Sequence, residues 1–260
     1  MEHESALRLS FFIGILLVMM LLEFSFPKRP LRLGRQRWWA NLGIVVLNSL
    51  VARLVLPAGA VGAAIWAQNH HIGLLPLLSL GDSMQLLMAL LLLDGVIYAQ
   101  HVAFHRIPIL WRLHQVHHAD RDMDVTTGLR FHPIEIILSM LIKIAVVVAL
   151  GAPVLAVILF EIILNGMAMF NHANIRLPQR LDGLLRLLVM TPDAHRIHHS
   201  LLWHETNSNY GFNLSLWDQL FHTYRKQPDA GHQQMVIGLS QYQQQPTHQL
   251  MWMLKLPFQK

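Results

Sequence analysis

Apolar residues fall in five long runs, at roughly 9–26, 42–66, 84–104, 134–150 and 153–170, with polar stretches between them. A helix needs about 20 mostly apolar residues to cross a bilayer, and in lipid a helix satisfies every backbone polar group within itself. The pattern therefore predicts an all-α integral membrane helical bundle of four to five spans or half-spans. The last two runs are short and meet at Gly151-Ala152-Pro153, which predicts a hairpin that either dips into the bilayer or crosses it twice. The polar stretches 105–133 and 171–240 are expected to form one helical cap, so that residues 1–260 make a single membrane domain.

The first run follows an acidic opening, Met1 to Glu4, and has no small-residue cleavage pattern, so it reads as a retained span. The segment PKRPLRLGRQRWW carries Lys28, Arg29, Arg32, Arg35 and Arg37, with Trp38 and Trp39 at a headgroup level. By the positive-inside rule this loop is cytoplasmic, and the next loop, 68–83, which lacks Lys and Arg, faces the other side. Threading onward puts every later histidine cluster on the cytoplasmic face, with a bacterial inner membrane as the expected location.

Composition sharpens this picture. The 260 residues are 53% hydrophobic and 13% charged, against about 25% charged in ordinary soluble domains. No cysteine is present, which excludes disulfides, thiolate-held iron–sulfur clusters and cysteine nucleophiles. The formal charge of +5 gathers beside apolar segments without a nucleic-acid recognition module, so lipid headgroups are the expected partner and nucleic acid is not. The tail Gln241 to Gln245 reads as solvated surface.

Three histidine clusters lie within this apolar frame: His101/His105 in HVAFH, His114/His117/His118 in HQVHH and His195/His198/His199 in HRIHH. Imidazole ligates iron, zinc and copper, and residues three or four apart share a helix face, so each cluster can aim several nitrogens at one point. Eight such histidines are too many for one tetrahedral ion and point to two. Asp94 falls on the stripe of His101 and His105, deeper in the apolar layer. It is expected to orient a ligating imidazole, the alternative being a pair with another polar group. Tyr98 shares that stripe as a hydrogen-bond donor or an interfacial anchor. Thr191-Pro192-Asp193 predicts a helix start before the third cluster, with Asp193 serving the cap. His172 follows the hairpin on the expected face and is a candidate ligand. His132 is a further candidate with Glu135 as partner, although Pro133 favours an extended backbone at that position. His204 and His222 read as surface or packing residues, and His3, His70, His71, His232 and His248 as bystanders.

With these elements in order, the sequence resembles the fatty acid hydroxylase and sterol desaturase superfamily of membrane di-iron proteins. The resemblance runs from about Asp94 to Arg225, a catalytic region of residues 94–225, and rests on DGVIYAQHVAFH, LWRLHQVHHADRDMDVTTGLRFHPIE, FNHAN, TPDAHRIHHS and ETNSNYGFNLSLWDQLFHTYR. It implies two iron ions held by His101, His105, His114, His117, His118, His195, His198 and His199, with dioxygen as co-substrate. His172 matches the histidine between the second and last boxes. That middle box offers Asn171 and His172 where the family has two histidines, which leaves the ninth and tenth ligands open between His172 and His132.

The expected reaction is oxygen-dependent hydroxylation or desaturation of a lipid C–H bond, since apolar walls keep a reactive oxidant from water and a site beside the bilayer admits an acyl or sterol tail. Met140, Met167 and Met169 are candidates to line such a groove or to pack in the core. Electrons must come from an external donor of cytochrome or ferredoxin type, because no cysteine and no Rossmann glycine fingerprint is present. Arg106, Arg112, Arg121 and Arg196 are candidates to attract it. A zinc-dependent membrane hydrolase would need a glutamate within a histidine cluster, as in H-E-x-x-H, and none has one. A metal-transporting or metal-storing membrane protein would place its site near the midplane, whereas these clusters fall at the ends of the runs.

Overall fold

The computed structural model describes residues 4–259, so His3 lies outside it. Among the described residues there are fourteen α-helices and no extended strand, only three isolated bridges. α1 (Glu4–Ser25) is a single apolar helix of 22 residues, about 33 Å long and enough to cross the hydrocarbon layer. The second run is divided: α2 (Trp38–Val55) stops before Pro57, and α3 (Gly59–Asn69) begins at Gly59 with φ +55°. The short turn α4 (Leu74–Leu77) leads to α5 (Asp82–Arg106), the longest helix. Ile107 is extended because it precedes Pro108, so α5 ends there and α6 (Pro108–His118) starts in a new direction with the proline in its first turn.

α7 (Pro133–Leu150) and α8 (Val154–His172) form the hairpin, turned by Gly151 in the left-handed conformation at φ +61°. With 18 and 19 residues, each reaches just under 30 Å, the length of a crossing rather than a shallow dip. α2 and α3 together run alongside α7 as one broken path. Asn48 donates to the Phe131 carbonyl, at 2.9 Å, where α7 begins, and a Cβ on Gly73, beyond α3, would lie 2.1 Å from the Gly151 nitrogen where α7 ends. Five stretches are long and apolar enough to cross a membrane: Ala6–Ser25, Gly34–Leu77, Asp82–Arg106, Pro133–Leu150 and Val154–His172. The chain is a multi-pass membrane protein.

Small residues let these helices approach. Ala60, Ala64, Ala89 and Ala156 are fully buried around Leu93 and Phe160, the packing expected where lipid offers no hydrophobic drive between helices. Glu161 is neutralised inside the layer by Lys143 at 3.0 Å and Arg8 at 2.6 Å, which ties α1, α7 and α8 together. Met169, one of the methionines considered for a lipid groove, is instead fully buried with Val125 and Leu129 in the core, and Met140 packs against the core around Ala60 and Phe160.

The remaining helices are short: α9 (Gln179–Leu185), α10 (Pro192–His198), α11 (Trp203–Thr206), α12 (Leu216–Leu220), α13 (Gly231–Gln234) and α14 (Leu250–Lys255). Most belong to a cap at the end of the bundle where α5 and α8 finish, whereas α12 packs along α5 at Asp94 and Gly95. The basic loop before α2 serves this cap more than the headgroups. Arg37 is fully buried between Asp120 and Asp124, Lys28 pairs with Asp193, and Arg29 donates to the carbonyls of His232 and Met235. Arg32, Arg35 and Trp39 remain exposed.

Candidate metal centre

Nine histidines from four helices and one flanking residue converge at this end. His101, His105, His114, His118 and His198 form one group; His117, His172, His195 and His199 form another, with one ligand nitrogen of each within 4.8 Å of the others in its group. All nine are buried. α5 serves only the first group and α8 only the second, whereas α6 and the α10 turn supply both.

Hydrogen bonds fix where the ring lone pairs point. A carbonyl can only accept, so His101 Nδ1 donates to Tyr210 O at 2.6 Å, His198 Nδ1 to Ser208 O at 2.8 Å and His172 Nδ1 to Ala168 O at 2.7 Å. The opposite nitrogens, when the rings are neutral, carry bare lone pairs. Yet His198 Nε2 lies 3.0 Å from His101 Nε2, which lies 3.1 Å from His114 Nε2. In the second group His172 Nε2 has His117, His195 and His199 Nε2 each 3.1 Å away. His101 and His198 thus face lone pair to lone pair, and the single Nε2 lone pair of His172 cannot satisfy three neighbours, whereas a shared cation removes both conflicts: two imidazole nitrogens about 2.1 Å from one ion, at right angles, stand about 3.0 Å apart.

The rings are also held neutral. Burial brings His114 down to about 3, and burial together with neighbouring rings holds His117, His118, His195, His198 and His199 well below the ordinary imidazole value of 6.5. Both nitrogens of His105 and Nε2 of His118 are buried without a hydrogen-bond partner, a cost that a metal bond relieves. The residues present therefore fit two ions, one beside five imidazoles and one beside four, with no carboxylate in either set.

Local sequence explains the convergence. Thr191 caps α10, its Oγ1 accepting from Ala194 N at 3.3 Å, and Pro192 occupies the first turn. Asp193 is spent on Arg196 and Lys28 rather than on the cap. Behind the second group, Gly128 lets a backbone turn press on α8: a Cβ there would lie 2.3 Å from Ala168 O and 3.0 Å from His172 Nδ1. Glu23 of α1 accepts from Val125 N at 2.7 Å and Asn174 N at 2.6 Å, pinning the segments that follow both boxes. Arg37 with Asp120, Asp124, Asn41 and Thr127 braces the end of α6. Of these supports the sequence marks only the Thr191-Pro192 start; the alternation of Asp120, Asp122 and Asp124 is the feature that could have revealed a buried cation partner.

Other expected positions take different partners. Asp94 does not reach an imidazole; its Oδ2 accepts from Trp217 Nε1 at 2.8 Å, because the polar partner nearest that depth comes from α12. The carboxylate that does reach an imidazole of the two groups is Glu135, whose Oε1 lies 2.7 Å from His114 Nδ1. His132 stays outside both groups: its Nδ1 accepts from Ile134 N at 3.2 Å as the cap of α7, and its Nε2 faces Leu254 O at 3.3 Å. The extended backbone before Pro133 makes it the cap of α7. Tyr98 bonds Thr223 at 2.8 Å. His204 pairs with exposed Asp229, and His70, His71 and His222 are exposed. Arg196 is buried against Asp193 and cannot face a partner, whereas Arg106 and Arg112 are exposed.

The comparisons agree with this geometry. The family model for fatty acid hydroxylase matches residues 86–223, just over half of the chain and every histidine of both groups. The chain belongs to the fatty acid hydroxylase family. It is 31% identical over 144 residues to an ornithine lipid hydroxylase of Rhizobium tropici, covering 55% of this chain and 43% of that protein. It is 29% identical over 152 residues to the human alkylglycerol monooxygenase, covering 58% of this chain and 32% of the relative. The Xenopus tropicalis alkylglycerol monooxygenase is 32% identical over 127 residues, 49% of this chain and 27% of the relative. The match thus spans less than half the length of these relatives. No solved structure matches.

Proposed function

We propose that this chain is a membrane-bound di-iron oxygenase that hydroxylates a C–H bond of a lipid. The carrying observation is the pair of adjacent all-imidazole groups at the end of membrane-crossing helices. The similar proteins named for lipid hydroxylation and alkylglycerol monooxygenation favour hydroxylation over desaturation. Two iron ions, held by His101, His105, His114, His118 and His198 and by His117, His172, His195 and His199, would supply dioxygen activation, with electrons from an external donor of cytochrome or ferredoxin type.

The chain's own residues hold the rest. Tyr210, Ser208 and Ala168 carbonyls hold the proton of His101, His198 and His172 at Nδ1 and leave Nε2 for the metal. Phe131 stacks on His117 at 4.4 Å, and Tyr210 and Trp111 close over His105 at 5.1 Å and 4.9 Å, so the groups sit among rings that exclude water. Glu135 lies behind His114, on the face away from His101 Nε2, which does not favour a hydrolytic reading that needs a carboxylate base at the metal. The histidine groups face the cytoplasm in this reading, in keeping with exposed Arg32 and Arg35 before α2, and a bacterial inner membrane is the host.

The test is elemental analysis of protein purified under low oxygen, followed by lipid profiling of cells that express it. Iron at about two per chain with a lipid product heavier by one oxygen supports the proposal. Zinc that iron cannot replace, with no oxygen uptake, overturns it.

A further inference from the structure

We propose that residues 179–188 and 214–221, although they cross nothing, form an arm embedded in the hydrocarbon layer beside α5, with bilayer lipid as the occupant of its apolar face. The depth comes from α5 itself. Asp94 lies twelve residues from each end of α5 (Asp82–Arg106), about 18 Å from either along the axis. α12 is fastened at that level, with Trp217 Nε1 donating to Asp94 Oδ2 at 2.8 Å and its ring 3.1 Å from where a Cβ on Gly95 would stand. One turn further, Phe221 stacks on Tyr98 at 5.4 Å. An element fastened along residues 94–98 of a membrane-crossing helix lies below the headgroups.

The outward face fits that depth. Leu184 is 66% exposed, Leu187 64%, Leu220 59% and Phe221 57%, matching Leu17 at 60% and Leu21 at 66% on the lipid-facing side of α1. Of the arm's charged residues Asp182, Arg186 and Asp218 turn inward and are buried, Asp182 on Arg186 and Asp218 on the amides of Tyr210 and Gly211, whereas Arg180, in the first turn of α9, is exposed and long enough to reach toward the headgroups.

A second, independent observation is the treatment of the backbone. Irregular chain in contact with lipid must satisfy its polar groups without water. The carbonyl of Arg186 accepts from Ser215 Oγ at 2.8 Å, that of Leu187 from Gln219 Nε2 at 3.3 Å and that of Leu188 from Ser215 N at 3.0 Å. The Met190 amide donates to Asn213 O at 2.9 Å. The consequence reaches the metal centre: Tyr210 and Phe212, at the root of the arm, pack on His101 at 5.8 Å and 6.3 Å, so the bilayer boundary comes within a side chain of the five-histidine group.

The chain has no cysteine, so single-cysteine variants label at one place. Leu184→Cys and Leu220→Cys, each carrying a bimane fluorophore in lipid nanodiscs, are compared with Leu17→Cys on α1 and Gln234→Cys on exposed α13. Metal content is measured on every sample to establish that it is folded. Quenching by brominated phosphatidylcholine should match Leu17→Cys and exceed Gln234→Cys several-fold, while iodide quenching should be correspondingly weak. Strong iodide quenching at both arm positions would place the arm in water and overturn the proposal. Weak quenching by both agents would mean that protein, such as a second copy of the chain, covers the face, and would overturn it equally. Neither outcome depends on which metal or lipid the centre uses.

Discussion

Gly128→Ala isolates one ion position from the other. The added methyl would stand 2.3 Å from the Ala168 carbonyl oxygen and 2.9 Å from its carbon, where a carbon and an oxygen ordinarily approach to about 3.3 Å. The obstacle is backbone in the last turn of α8, so it cannot swing aside, and the carbonyl must retreat by about 1 Å. His172 Nδ1 donates to that same oxygen at 2.7 Å, which such a retreat carries past useful hydrogen-bonding distance. Overpacking costs about 1–3 kcal/mol, and losing the partner that orients a metal-bound imidazole costs about 10–100-fold in metal affinity. The loss should fall on the four-histidine group, because His172 belongs to it and the five-histidine group has its own supports. Iron per chain should therefore drop from about two toward about one in detergent-purified protein that remains monodisperse. Gly14→Ala, on α1 with nothing within 4 Å of the new methyl, serves as the silent control. Full iron and full turnover in Gly128→Ala would refute both the contact argument and the placement of His172.

Glu135→Gln should weaken the five-histidine ion by about 10–100-fold through the altered partner of His114, read by chelator competition; His132→Ala should leave metal content unchanged and cost about 1 kcal/mol of stability through the lost cap. Arg37→Ala strands Asp120 and Asp124 without their cation and should cost about 3–5 kcal/mol, read as a fall in Tm; an unchanged Tm would contradict the bracing role. In metal-free protein, His114 is held at about 3 against an ordinary value of 6.5. The unfolded chain therefore takes up its proton first, and stability should be complete above pH 6.5 and decline as pH falls toward 3. Thermal melts across that range check the sign, which added metal should strengthen.

The apolar runs announced the bundle because lipid leaves a crossing segment little choice but helix, and the box spacings announced the clustering of imidazoles because helix periodicity places residues three and four apart on one face. What local sequence could not carry was who meets whom. Arg37 sits in a basic loop that reads as headgroup contact, yet it is the buried counter-ion of Asp120 and Asp124, 83 and 87 residues away. Asp94 shares the stripe of His101 but is taken by Trp217, 123 residues on. The leucines of 181–188 are too few for a span, so they read as part of a polar cap, although the Leu187 and Leu188 carbonyls are taken by Gln219 and Ser215 of the α12 segment, whose Trp217 bonds Asp94 midway along α5. In each case the partner is set by tertiary packing at long sequence separation, which periodicity does not encode.

The pairing within the boxes follows the same logic and leads to one more test. In H-x-x-H-H, the first and last histidines are four apart and stack on one face, while the middle one precedes the last by a single residue and points about 100° away. α6 accordingly sends His114 and His118 to the five-histidine group and His117 to the other. In HRIHH the division is reversed in weight: His195 and His199 join the second group and His198 the first. The two short segments thus stand between the ion positions and register them against each other. Removing His117 leaves three imidazoles in its group, whereas removing His118 leaves four in the other. His117→Ala should therefore lose about one ion per chain while His118→Ala, one residue along the same helix, retains more metal at equal folding. Equal metal loss from the two variants would mean that neighbouring histidines serve one ion, and would sink the assignment of one helix to two positions.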